Sequence, residues 1–372
     1  MSETHVILVG ASTRAAAMSA RRAGWTPWCA DLFADADLQR IASVRKIPVE
    51  AYPQGLLDAL ADAPQSPVIY TGALENRPDL VARIDRPLWG NSPEVLRAIR
   101  SPERWTQALQ ACGLPCPAIS DQPFAGRWLL KHRKSAGGFG IQDYSGQPFN
   151  RRTHFLQEWI EGIACSAIFL GHADGATLLG VTEQLVGTPW LNTSGFHYAG
   201  NIGPLPLEGT ANTRWQQIGT ALTHAFSLRG LFGVDAILHD GIPWPVEINP
   251  RYTASVEVLE RCYRTPLLLL HRDSFSLLPS GKGPGVRVTE VHGKAILFAR
   301  KTLTFPEIGP WQAALQEGVD LDQVEYADIP HAGEEIEQGR PVLTLFASSA
   351  SVSGCLGKLQ EKAQALDRRL WG

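Results

Sequence analysis

The run HVILVG (5–10) is apolar without interruption, the pattern of a strand buried on both faces. The Ala-rich ASTRAAAMSARRAG that follows reads as a helix closed by Gly24. WTPWCADL, SPVIYTG (66–72) and RPLWGN (86–91) read as three further strands. Strands alternating with helical stretches predict a parallel, open α/β sheet. Two helices with clear start signals come next. In NSPEVLRAI, Ser92 can cap, Pro93 suits the first helical position and Glu94 suits the positive helix end. SPERWTQALQACG repeats the plan with Ser101 and Pro102 and stops at Gly113.

From about 124 to 272 the pattern changes to short apolar stretches ending in Gly-rich turns: GRWLLKH, HFLQEWIEG, CSAIFLG, TLLGVTEQLV, GVDAILHDG and WPVEIN. These predict antiparallel strands, with a helix over about 211–229. After PSGKGPG (279–285) come two more strands, GKAILFAR and RPVLTLFAS. A closing helix carries Leu356, Leu359, Ala363, Leu366 and Leu370 on one stripe. The expected division is an α/β unit over 1–100, an α+β region over 101–278 and a smaller lobe over 286–372.

The 372 residues suffice for two or three domains. With 44% hydrophobic and 19% charged residues the composition is globular, and a net charge of −3 gives no reason to expect nucleic-acid binding. No apolar run approaches the roughly 20 residues of a membrane span. The opening MSETHVILVG has no basic leader, so a cytoplasmic protein is expected. Of six scattered cysteines only Cys112 and Cys116 are close, and no second pair completes a zinc site; both fit apolar positions at a helix end. The first turn reads GASTRA rather than G-x-G-x-x-G, which argues against a dinucleotide fold although Asp31 lies at a ribose-binding distance in sequence.

Three stretches carry chemistry. In VEIN, Glu247 and Asn249 share one face of a strand, two oxygen ligands suited to a hard cation such as Mg²⁺. The preceding strand brings Asp235. Asp235 stands directly opposite Glu247 if Leu238 faces Trp244 across a five-residue loop, 239–243. A two-residue Asp240-Gly241 turn would put Asp235 opposite Val246 instead, on the wrong face. A metal site therefore predicts the longer loop, against the plainer reading of a hairpin with an acidic outer face. In LLKHRKSAGGFGI, strand residue Lys131 precedes a loop with Gly137, Gly138 and Gly140, which suits phosphate oxygens but is no Walker A loop. In FLQEWIEG, a strand that ends and bends offers backbone groups near Glu158, Trp159 and Ile160 to a base, with Glu161 available for ribose.

In this order the three stretches resemble the ATP-grasp superfamily, over essentially the whole chain. The resemblance implies an ATP-grasp fold with a Rossmann-like N-terminal domain and a small C-terminal lobe. It implies ATP and Mg²⁺ (or Mn²⁺) as cofactors. Lys131 matches the lysine on the α/β-phosphates, Ser135 to Gly140 the phosphate lid, and Glu158, Trp159 and Ile160 the adenine hinge. Asp235, Glu247 and Asn249 match the metal ligands, and Arg251 matches a contact to the γ-phosphate or the activated substrate. Two departures stand out: Arg104 where many members have lysine, and Ala164 where many have a ribose-binding glutamate. The activity implied is an ATP-dependent carboxylate–amine ligase. Small-molecule acid and amine substrates go with it, and dimers are common in the family. A carboxylase-type enzyme activating bicarbonate and a non-catalytic ATP-binding protein are the alternatives. The polar, aromatic segment 182–205 is the expected acceptor site, with His197, Tyr198 and Asn201 as candidates. FHYAGNIGPL and YADIPHAGEEIEQGRPVLTLFA resemble a subgroup found with methanofuran- or tetrahydromethanopterin-linked one-carbon metabolism, where glutamate ligation to an amine such as tyramine is a known type of reaction.

Overall fold

The computed structural model describes residues 4–72, 74–207, 209–276 and 290–372. The PSGKGPG stretch and the expected boundary at 278 lie outside them. The N-terminal strands β1 (His5–Val9), β2 (Thr26–Asp31), β3 (Ser43–Lys46) and β4 (Val68–Tyr70) form a parallel sheet in the order β3-β2-β1-β4. Val6, Ile7, Leu8 and Val9 are all buried, as the continuous apolar run requires. β3 is short and mostly exposed, so no hydrophobic pattern announced it. RPLWGN is not the strand expected. Leu88 makes one isolated bridge to Val68, and Pro87 offers the ladder a carbonyl but no N–H. Asp31 is no free ribose ligand either. Its carboxylate accepts from the Thr13 backbone and hydroxyl and from the Phe33 and Ala34 amides, tying the β1 and β2 turns together.

Helices Pro93–Ile99 and Pro102–Ala111 follow. Ser92 accepts from the Val95 amide, as a cap should; Ser101 instead donates to Glu103 Oε2 at 2.8 Å. Cys116 is buried, but Cys112 is exposed at the helix end, so only one of the pair is a core residue. A small antiparallel sheet comes next: β5 (Ile119–Ser120), β6 (Trp128–His132), β7 (Ile141–Asp143) and β8 (His154–Glu158), ordered β5-β8-β6-β7. Trp128, Leu130 and Leu156 form its core.

The central sheet contains β9 (Ile163–His172), β10 (Gly175–Val186), β11 (Tyr198–Gly203), β12 (Gly230–His239), β13 (Ile242–Asn249) and β14 (Val291–Phe298). Beyond a two-stranded ribbon of β15 (Leu303–Thr304) and β17 (Glu335–Ile336), the sheet is completed by β16 (Tyr326–Ala327) and β18 (Pro341–Ser349). Its order is β13-β12-β9-β10-β11-β14-β18-β16. The C-terminal strands thus extend the same sheet rather than building one of their own. Helix Gly209–Phe226 packs on one face, burying Trp215, Ile218 and Leu222. Helix Val352–Trp371 covers the C-terminal end through Leu359, Ala363 and Leu366. No helix among the described residues is long and apolar enough to cross a membrane.

The β12–β13 hairpin overturns the predicted loop. The turn is the short one: Ile242 pairs with His239 around Asp240 and Gly241, whose φ values of 49° and 75° suit a tight hairpin turn. Yet Asp235 still pairs with Glu247, and Gly233 with Asn249, because Ala236 pairs with Pro245 and Val246 is an extra, bulged residue. The bulge shifts the register by one and restores the acidic pair.

Candidate active site

Two adjoining cavities of about 610 and 660 Å³ share the wall made by Gly137, Tyr198, Arg251, Thr253 and Ala254. The first lies between the small sheet and the central sheet. Lys131, Gly137 and Gly138 line it on one side, Glu158, Trp159 and Ile160 at its end, and Asp235, Glu247 and Asn249 opposite.

Each side chain is held by its element. Lys131 stands on β6 and is buried; its ammonium donates to Gln157 Oε1 at 3.1 Å and to the Val246 carbonyl at 3.2 Å. The β13 bulge therefore also supplies the carbonyl that orients this lysine. Burial pulls Lys131 below the usual lysine value, against the opposing pull of Glu247 and Asp235. Burial, then the Glu247 carboxylate, push Asp235 up to about 6. Asn249 donates to Asp235 Oδ2 at 3.0 Å and accepts from Arg251 Nη2 at 3.3 Å. Arg251 is fixed by Glu75, whose Oε1 accepts from Nε at 2.7 Å. Burial disfavours its charge, but Glu75, Glu247 and Asp235 together more than offset this and its pKa is raised.

The glycine loop is shaped by its contacts. Gly137, Gly138 and Gly140 have φ of 63°, 80° and 74°, a region costly for other residues. A Cβ on Gly138 would overlap the Phe196 carbonyl. Tyr198 N–H donates to the Gly137 carbonyl at 3.1 Å, and Phe139 lies 4.4 Å from the His197 ring. The loop thus rests on residues 196–198. Ser135 lines a smaller cleft on the other side of Lys131, with Arg100 and Glu247.

Several expected residues stand elsewhere. Arg104 is exposed, 5.9 Å over the Phe226 ring, and does not line the cavity. Glu161 is exposed too; only its carbonyl is used, by His239 Nδ1, while Ala164 lines the cavity. Gly140 abuts His132 rather than the cavity. Of the acceptor candidates, Tyr198 and Asn201 line the first cavity and hydrogen-bond each other, and Asn201 donates to Thr182 Oγ1 at 2.9 Å. His197 is not a lining residue and backs Phe139. The middle of segment 182–205 is anchored away from the site, with Asn192 donating to the Phe298 carbonyl and to Asp367. The second cavity takes only Tyr198 from this segment.

Two residues of the site carried no sequence signal. Arg100, at a helix end, lies 3.4 Å from Glu247 Oε1 and 3.4 Å from Glu75 Oε1. Its Nε has no hydrogen-bond partner among the described residues. Glu75 sits in a short turn of the N-terminal unit and is fully buried. Both arrive from outside the strands that the motif reading followed.

Two facing carboxylates with an amide beside them suit a hard cation. Among the described residues no three His, Cys, Asp or Glu side chains form a metal cluster, so a cation here would complete its shell from a ligand. Lys131 and the glycine backbone suit an anionic ligand.

Residues 103–255 match the family model described as an ATP-grasp domain, and the chain has the ATP-grasp fold. An L-amino acid ligase from Bacillus licheniformis superposes with a TM-score of 0.70 at 14% identity, covering 98% of this chain and 97% of that one. An uncharacterized protein of Methanocaldococcus jannaschii is 24% identical over 217 residues, 57% of this chain and 47% of that protein. The carbamoyl phosphate synthase large chain of Thermomicrobium roseum is 29% identical over 149 residues, 36% of this chain and 14% of that protein. These matches span less than half the length of either curated relative.

Proposed function

We propose that this chain is an ATP-dependent ligase that joins a carboxylate to an amine, with Mg²⁺ (or Mn²⁺) at Asp235 and Glu247. One observation carries the reading. Lys131 and the glycine loop face the Asp235–Glu247 pair across a single cavity, and Arg251 stands on the wall to a second cavity. The division into a unit over 1–100, a nucleotide-binding region over 101–278 and a lobe over 286–372 belongs to the same proposal. In the proposed reaction a carboxylate oxygen attacks the γ-phosphorus, the bond to ADP breaks, and the amine then displaces phosphate from the acyl carbon. ATP and its metal supply the phosphoryl group and neutralise its charge. The chain positions and encloses: Lys131 and Arg251 present fixed charge to the transferring group, and the glycine loop covers it and excludes water. No side chain need form a covalent bond.

A second cavity of about 660 Å³ is far larger than bicarbonate needs, which favours a bulky acid over the carboxylase alternative. The one-carbon setting rests on the sequence phrases around 196–205 and 326–347 alone. The decisive assay is acid- and amine-dependent ADP release from the full chain with MgATP. Bicarbonate-dependent release without an amine would overturn the amide reading. Glu247→Gln keeps the side chain's shape but removes a metal charge. Turnover should fall on the order of a hundredfold or more with the circular dichroism spectrum unchanged; retained activity would sink the metal assignment.

A further inference from the structure

The second cavity lies between the N-terminal sheet and the C-terminal strands. Its walls combine Leu32, Phe33, Ile336 and Val342 with many polar and charged groups. Lys46, Glu335, Glu337 and Arg340 are exposed to solvent, and most of the less exposed charges there are already matched. Arg14 is hydrogen-bonded to both Glu257 and Asp328, and Lys294 donates to Glu257 at 2.8 Å. Asp37, just behind, accepts from the Asp328 and Ile329 amides.

Asp35 is the exception. It follows the β2 turn, at the start of helix Ala36–Ile41, and caps no helix N–H with its side chain. It is 8% exposed, lines the cavity, and its carboxylate has no hydrogen bond or ion pair among the described residues. A carboxylate held in a cavity without a partner is costly to keep ionised. Burial first, then the neighbouring charges of Asp328, Asp37 and Asp31, raise its pKa, and Arg14 offsets only part of this. No lysine or arginine pairs with Asp35 among the described residues, the exposed Lys46 and Arg340 of the same lining included, and the cavity leaves room for a cation to arrive with its ligand.

We propose that this cavity binds the acid to be activated and that this acid is an amino acid with an apolar side chain. Its ammonium pairs with Asp35, its body lies against Phe33, Ile336 and Val342, and its carboxylate is turned toward Arg251 on the wall shared with the first cavity. The inference rests on the ligase reading for the fate of the carboxylate, but the recognition by Asp35 can be measured without turnover.

The test is isothermal titration of the full chain with leucine and phenylalanine, and with their deaminated counterparts 4-methylpentanoate and 3-phenylpropanoate. An ammonium–carboxylate pair predicts that at least one amino acid binds about ten- to a hundredfold more tightly than its deaminated counterpart. In Asp35→Asn that preference should vanish while the affinity for MgATP stays. Equal affinity for the two members of both pairs, or no binding of either amino acid, overturns the proposal. The unmodified protein decides this by itself if the variant does not fold. ADP release in the same samples separates the two readings. Amino-acid binding with the Asp35-dependent preference but no ADP release with any amine sinks the ligase and leaves the Asp35 site. ADP release that is indifferent to the amino group sinks the Asp35 site and leaves the ligase.

Discussion

Gly138 shows how much one residue can decide. Its φ of 80° strains any other side chain, and a Cβ there would run into the Phe196 carbonyl. Gly138→Ala should lower kcat/KM for ATP by roughly tenfold or more. The melting temperature should barely move, because the loop lies at the rim and not in a core. An unchanged kcat/KM would mean that the loop does not cover the nucleotide. At this scale the sequence was informative where chemistry is local. Lys131, Gly137, Gly138, Glu247 and Arg251 line one cleft. It misled where direction depends on packing: Arg104 and Glu161 point to solvent, and Arg100 and Glu75 enter from turns that carry no pattern.

The β12–β13 hairpin is the instructive element. Period-two alternation correctly put Glu247 and Asn249 on one face. Extending a uniform register back from the Asp235–Glu247 pair demanded a long loop, whereas Asp240 and Gly241 make the short turn their types favour and a bulge at Val246 corrects the register. A bulge is invisible to a reading that assumes one residue per partner. Another element-level device is His271, on helix Leu267–Asp273. Its Nδ1 accepts from Leu231 N at 2.8 Å and its Nε2–H donates to the Trp89 carbonyl at 2.9 Å, which needs the neutral ring. Burial pulls its pKa from 6.5 down to about 4. Between those values the unfolded chain binds the extra proton, so His271 stabilises the fold fully above about pH 6.5 and progressively loses that contribution as pH falls toward 4. Urea denaturation from pH 4 to 7 should show this slope, and His271→Gln should flatten it. A variant with the parental slope would show that His271 is not the group responsible.

Over the whole molecule, Arg14 joins parts far apart in sequence: from the start of helix Arg14–Arg22 it pairs with Glu257 on helix Ala254–Tyr263 and with Asp328 beside β16. Arg14→Met would strand two carboxylates and should cost about 3–5 kcal/mol in chemical denaturation. A loss under about 1 kcal/mol would mean that water or relaxation replaces the pair. The sequence by itself determined what depends on neighbours along the chain. These are the strands and helices with clear periodicity, the glycine loop, and the order of motifs that resembles the ATP-grasp superfamily. Only the tertiary structure decided the rest: that the C-terminal strands continue the central sheet, that Arg100 and Glu75 reach Glu247 and Arg251, and that Asp35 faces a cavity without a partner. Those facts depend on long-range packing, in which residues hundreds of positions apart become neighbours, and no local pattern encodes where such neighbours will stand.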